Sequence, residues 1–140
     1  MQRMALLMVL MAMLGAQAGA LAVGAPTTIW VPRLEEQGRL LVEMRVTMEQ
    51  LGYTVTWTPA EERVDAVRGE LTVTMWMDEP EVFVNGESVM LDVPPRLMWD
   101  RTFVPLRFVA ETVGAAVEYQ GDSVLVTGPM GDLLFRFYDQ

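Results

Sequence analysis

The 140-residue sequence contains no cysteine, no histidine and no lysine, and each of its ten basic residues is arginine. The missing cysteine excludes a disulfide framework, a thiolate metal site and a lipid-bearing cysteine. The missing histidine excludes imidazole-bound copper or zinc and histidine-based catalytic triads. Positive charge is scarce as well. Beyond residue 22, nine arginines face 19 Asp and Glu residues, a net charge of −10, so phosphate polymers are repelled and nucleic acid is not an expected partner. Carboxylate, hydroxyl and arginine chemistry remain for catalysis. Yet no pair among the 19 acids stands out as the separated couple that glycoside cleavage requires. The expectation is no enzymatic activity and no cofactor.

The length suits one domain, because two would each be too small to bury a good core. Residues 4–15 form an apolar run behind Arg3, and 15–22 are almost all small, including Ala16-Gln17-Ala18 and Ala20-Leu21-Ala22. A positive start, an apolar middle and an A-x-A end describe a secretory signal cleaved after Ala18 or Ala22. The sequence therefore divides into a signal peptide at 1–22 and one domain at 23–140. An uncleaved anchor is the alternative, since residues 4–23 carry no charge and are long enough to span a bilayer. Gly and Ala crowd the end that an anchor would fill with Leu or Ile, which favours cleavage and no membrane association afterwards.

The chain also resembles itself. Residues 31–76 laid over 93–138 without a gap give eleven identities in 46 positions, a period of 62. The identities include Arg39 with Arg101, Arg45 with Arg107, Glu49 with Glu111 and Gly52 with Gly114. Leu106, Val109, Ala110 and Val113 have the spacing of one buried helix face, matched by Met44, Thr47, Met48 and Leu51. Pro105 suits a first helical turn and Glu43 the same place in the other copy, while Gly52 and Gly114 end the helices. Helices this brief are not stable by themselves in water, so each must lie on a sheet. Residues 53–57, 70–77, 115–119 and 132–138 read as strands. Between the copies, Asn85-Gly86 sits in the apolar run 81–91 and marks a tight hairpin. The fold class is α+β, with antiparallel β-sheet wrapped around two short helices. It is built from a degenerate tandem repeat with that period of 62, its half-repeats at about 29–77 and 91–138 joined by the 81–91 hairpin.

Val84-Asn85-Gly86, Leu91-Asp92-Val93-Pro94-Pro95, the run from Asp100-Arg101-Thr102-Phe103-Val104-Pro105-Leu106-Arg107 to Glu111, Gly114 and Val117-Glu118-Tyr119 together carry a family resemblance. The match covers about residues 70–126 and is similar to the N-terminal, or stalk, domain of copper amine oxidases, as found in exported bacterial proteins. The first copy, 38–57, resembles a worn version of the same motif, with Glu43 where that family usually has Pro. The resemblance implies an antiparallel sheet around a helix and an extracytoplasmic location. It implies no oxidase activity, because that chemistry belongs to another domain that needs three histidines and a modified tyrosine.

Arg45, Glu49, Gly52, Asn85, Gly86, Arg101, Pro105, Arg107, Glu111 and Gly114 are therefore read as a structural motif. Arg45–Glu49 and Arg107–Glu111 are i, i+4 pairs suited to ion pairing, with a ligand-gripping Arg107 as the functional alternative. Met75 and Met77 share a strand face, which admits a thioether Cu(I) site, but core packing explains them better. The acidic stretch Asp78-Glu79-Pro80-Glu81 lacks the alternation of a calcium loop and reads as a solvated turn. Trp57 matches Tyr119 and Trp76 matches Tyr138, the behaviour of core rings. Trp99 matches the polar Gln37 and, with Arg101, is the candidate ligand contact. The function expected is a non-catalytic structural or interaction module of the bacterial cell envelope, secreted or envelope-associated. Its partner would be an envelope protein, a cell-wall component or a second copy met through an open sheet edge in the first half. The alternative is a cell-wall glycan- or peptide-binding domain.

Overall fold

Short alternating runs, broken by glycines and tight turns, organise the chain into strands and two brief helices. The computed structural model describes residues 25–129 and 131–138; the expected signal peptide lies outside the described residues. In chain order the elements begin with β1 (Thr27–Glu36), β2 (Arg39–Glu43), α1 (Met44–Gln50), β3 (Thr54–Thr58), β4 (Arg63–Arg68), β5 (Leu71–Trp76), β6 (Glu81–Val84) and β7 (Glu87–Met90). They continue with β8 (Arg96–Met98), β9 (Arg101–Pro105), α2 (Leu106–Thr112), β10 (Ala116–Tyr119), β11 (Ser123–Gly128) and β12 (Gly131–Tyr138). One sheet has the order β10-β11-β12-β1-β2-β9-β8 and the other β3-β4-β5-β6-β7, an α+β architecture.

The two helices are equal in length and begin at Met44 and Leu106, places matched in the alignment of the chain with itself. Each ends in the same pattern of backbone bonds. Gly52 N–H donates to Glu49 and Tyr53 N–H to Met48, just as Gly114 N–H donates to Glu111 and Ala115 N–H to Ala110. Gly52 (φ 93°) and Gly114 (φ 84°) supply the left-handed residue that this Schellman cap needs. The starts differ. Pro105 closes β9 as the cap residue, one place before the first turn expected for it, and has no capping side chain. Glu43 holds the matching position and accepts from Arg45 N–H at 3.2 Å and Val46 N–H at 3.0 Å. Its carboxylate satisfies two N–H groups that a helix start leaves without partners.

Packing stabilises these helices, since neither could stand alone. Met44 and Met48 from α1 and Leu106, Val109 and Ala110 from α2 share one core cluster with Val31, Val73, Met75 and Phe135 from the two sheets. Each large side chain removed from water contributes about 1.5–3 kcal/mol. Strands β2 and β9 are buried on both faces, with Leu41, Phe103 and Val93 forming a second small cluster behind them. They meet antiparallel, with Val42 opposite Val104, Leu41 opposite Pro105 and Glu43 opposite Phe103. Tyr53, 3% exposed, donates its hydroxyl to the Val109 carbonyl at 3.1 Å. That bond ties the end of the first helix segment to the second helix. Arg96 bonds Glu36 at 2.9 Å and Asp78 at 2.8 Å, joining β8 and β1 to the turn that follows β5.

Two expectations need correction. The sheets are not wholly antiparallel: β1 pairs parallel with β12, from Thr27 opposite Leu133 to Pro32 opposite Tyr138. β1 also pairs with β2, and the open edge expected in the first half is β3. The free edges are β3, β7, β8 and β10. Nor are the matched aromatic positions core. Trp57 and Trp76 are half-buried, and Tyr119 and Tyr138 are exposed. These four rings lie at or near strand ends, where one flank has no neighbouring strand to cover it.

Candidate functional site

The β6–β7 hairpin turns on Asn85 (φ 51°) and Gly86 (φ 83°), the positive pair that a type I′ turn requires. Asn85 fixes the turn against β5: its Oδ1 accepts from Thr72 N–H at 2.9 Å, and its own N–H donates to the Thr72 carbonyl at 2.8 Å. Every residue of β7 is exposed. Between this edge strand and α2 runs a trough of about 540 Å³ lined by Val84, Glu87, Val89, Phe108 and Glu111. It continues into a second depression of about 260 Å³ that shares Val89, Phe108 and Glu111 and adds Met90, Leu91 and Pro105.

Arg39, Asp92 and Arg107 carry the surface onward to a cleft of about 350 Å³, lined also by Gly38, Leu40 and Tyr119. Asp92 accepts from Arg39 Nε at 3.0 Å. Arg107 reaches Glu111 at 2.9 Å and lies over the Tyr119 ring, 5.2 Å from its centroid. The hydrogen bond to Glu111, with the field of that carboxylate, holds the Arg107 guanidinium more firmly protonated than usual. Arg45 reaches Glu49 at 3.3 Å and the Val55 carbonyl at 3.4 Å. Both i, i+4 pairs are half exposed, so each stabilises the fold by only a few tenths of a kcal/mol, ~0.3–0.5.

Arg45, Trp57 and Arg101 come together in a further cleft of about 180 Å³, with Met44, Leu97, Asp100 and Thr102. Arg101 forms no ion pair among the described residues. Trp99 stands beside it in the β8–β9 turn, 52% exposed and packed edge-on against Phe103 at 5.9 Å. Its φ of 54° is unusual for a bulky side chain and places local strain in that turn. Glu49, Gly52 and Gly114 stay with the helix ends, and Pro105 reaches only the rim of the second depression. Sequence reasoning missed Arg39, Phe108 and Asp92 as surface-forming residues. The Arg39–Arg101 identity was the available signal for the first.

Among the described residues, no set of donors fits copper. The chain has neither imidazole nor thiol, and among the described residues no group of three or more Asp and Glu is arranged to hold an ion. Met75 and Met77 are buried in the core. Asp78 is engaged by Arg96, and its N–H donates to the Pro95 carbonyl at 2.7 Å, so the acidic stretch is a fastened turn. Among the described residues, no helix is long and apolar enough to cross a membrane.

Comparison with known proteins gives two findings. Residues 24–127 match the family model described as copper amine oxidase N-terminal domain. A protein of Brevibacillus choshinensis named "Protease inhibitor" is 28% identical over 97 residues, covering 69% of this chain. The aligned stretch is 30% of that relative's length, so the likeness concerns one portion of a larger protein.

Proposed function

Because the chain belongs to the copper amine oxidase N-terminal domain family, an accessory rather than a catalytic domain, we propose that it is a non-catalytic interaction module of the bacterial envelope. It is exported and contacts another envelope component or a second copy of itself. In this reading its two halves, about 29–77 and 91–138, descend from one repeated unit. The helix caps at matched places and the facing of Val42 with Val104 support that origin.

The observation that carries the proposal is the exposed edge of β7 above the trough. A two-residue turn makes Val84–Glu87 and Val82–Val89 the mutually bonded pairs, and Leu91 N–H donating to Pro80 at 2.8 Å continues the alternation. Ser88 and Met90 therefore turn their N–H and C=O groups outward, and an incoming strand could pair there while covering Val89 and Phe108. If two copies pair antiparallel about Val89, Glu87 falls opposite Leu91 and no carboxylates collide. Ser88→Pro removes an outward N–H at an edge where proline is tolerated. Light scattering across a concentration series should show association by the parent chain and a monomer for S88P with a similar melting temperature. Equal association by both proteins would count against the edge.

The relative's name and the protruding apolar turn Leu97-Met98-Trp99 favour a second reading, in which the module docks on a peptidase. Residual activity of a panel of secreted endopeptidases with excess protein tests it, and full activity throughout would discard it. The wall-binding alternative is separated from both by sedimentation with purified peptidoglycan.

A further inference from the structure

Two of the clefts are versions of one another. Gly38, Arg39, Leu40, Arg107 and Tyr119 line the first, and the residues that match them in the self-alignment, Asp100, Arg101, Thr102, Arg45 and Trp57, line the second. Each cleft thus takes one arginine from the start of a strand of one half, β2 or β9, and one arginine and one ring from the helix and following strand of the other half. What differs is the acid. In the first cleft the Asp92 carboxylate bonds Arg39 through Nε, whereas the position one period before Asp92 holds Trp30. The second cleft therefore has the arginine without this carboxylate. The acids that line it do not replace it: Glu43 commits both oxygens to the N–H groups of α1, and Asp100 forms no ion pair among the described residues.

We propose that the second cleft binds the free C-terminal carboxylate of a peptide, which takes on Arg101 the place that Asp92 takes on Arg39. The surroundings fit a terminal residue. Met44 and Leu97 offer apolar surface and the half-buried Trp57 a ring, which suit an apolar last side chain; Asp100 weakens the pull of Arg101 on any anion and so disfavours an acidic last residue most. A volume of about 180 Å³ lies below the roughly 300 Å³ at which pockets for whole small molecules begin. It suits one residue and its carboxylate. This site is distinct from the β7 edge and stands or falls independently of it.

The test titrates the full chain with tetrapeptides ending in L-Ala, L-Leu or D-Ala, each as free acid and as C-terminal amide. Binding is read from the indole N–H resonances, with the Trp57 signal assigned through Trp57→Phe. At least one free acid should shift the Trp57 signal, its amide should bind at least tenfold more weakly, and Arg101→Gln should lose a similar factor. Arg39→Gln should leave binding unchanged. Preference for an L-terminal residue points to protein C-termini and preference for D-Ala to wall stem peptides; either supports the carboxylate site. Equal binding of acid and amide, undiminished binding by R101Q, or no shift at millimolar peptide would overturn it.

Discussion

Thr47 is fully buried, and its hydroxyl has no hydrogen-bond partner among the described residues. At the matching place in α2 the chain has Val109, also fully buried. Thr47→Val therefore replaces a hydroxyl by a methyl of nearly the same shape, so neither a cavity nor overpacking enters. Helix propensity hardly enters either, because Thr and Val rank together. What remains is the cost of an unmet buried polar group, about 1–3 kcal/mol. T47V should raise stability by about that much and the melting temperature by roughly 4 °C per kcal/mol for a domain of this size. Urea unfolding followed by tryptophan fluorescence is the assay, with an unchanged slope and a higher midpoint as the expected result. Val109→Thr should move the midpoint down. A T47V midpoint equal to or below the parent's would mean that the hydroxyl is satisfied, and the reasoning would fail.

Burial raises the Tyr53 pKa to about 12, against the smaller opposing effect of Arg68. A folded pKa above the unfolded value of about 10 gives stability that is complete below pH 10 and lost as pH rises through 12. The loss is on the order of 2–3 kcal/mol for a shift of this size. Tyr53→Phe should be about 1 kcal/mol weaker at neutral pH, from its lost bond to Val109, and should lack that alkaline decline in melts between pH 9 and 12. Gly114→Ala meets no atom within 4 Å but keeps φ near +84°. Its cost should be strain alone, about 1–2 kcal/mol, with Gly114→Asn costing less in the same urea assay.

Features fixed by a few neighbouring residues were legible in the sequence. Asn85-Gly86 dictates its turn because both φ values must be positive, and Gly52 and Gly114 stop helices for the same local reason. The apolar spacing from Leu106 to Val109 and Ala110 named the face that is buried. The pairing of β1 with β12 was not legible, because nothing near Thr27 reports a strand at the far end of the chain. Ring positions misled for a related cause: matched large side chains show that both places have room for a ring, not that a neighbour covers it. The clefts were hidden because each draws its two arginines from opposite halves. The identities Arg39–Arg101 and Arg45–Arg107 were visible, but which of the four would face each other depended on β2 lying beside β9.

The parallel seam between β1 and β12 sets an order of events. Thr27 waits for Leu133, near the opposite end of the sequence, and such distant closures are slow because loop entropy is lost before any contact rewards it. A chain emerging amino end first keeps one flank of its opening strand bare until the closing strand follows. The long sheet therefore cannot close until the last strand is free to reach the first, whereas the five-stranded sheet, built only from strands consecutive in the chain, has no such wait.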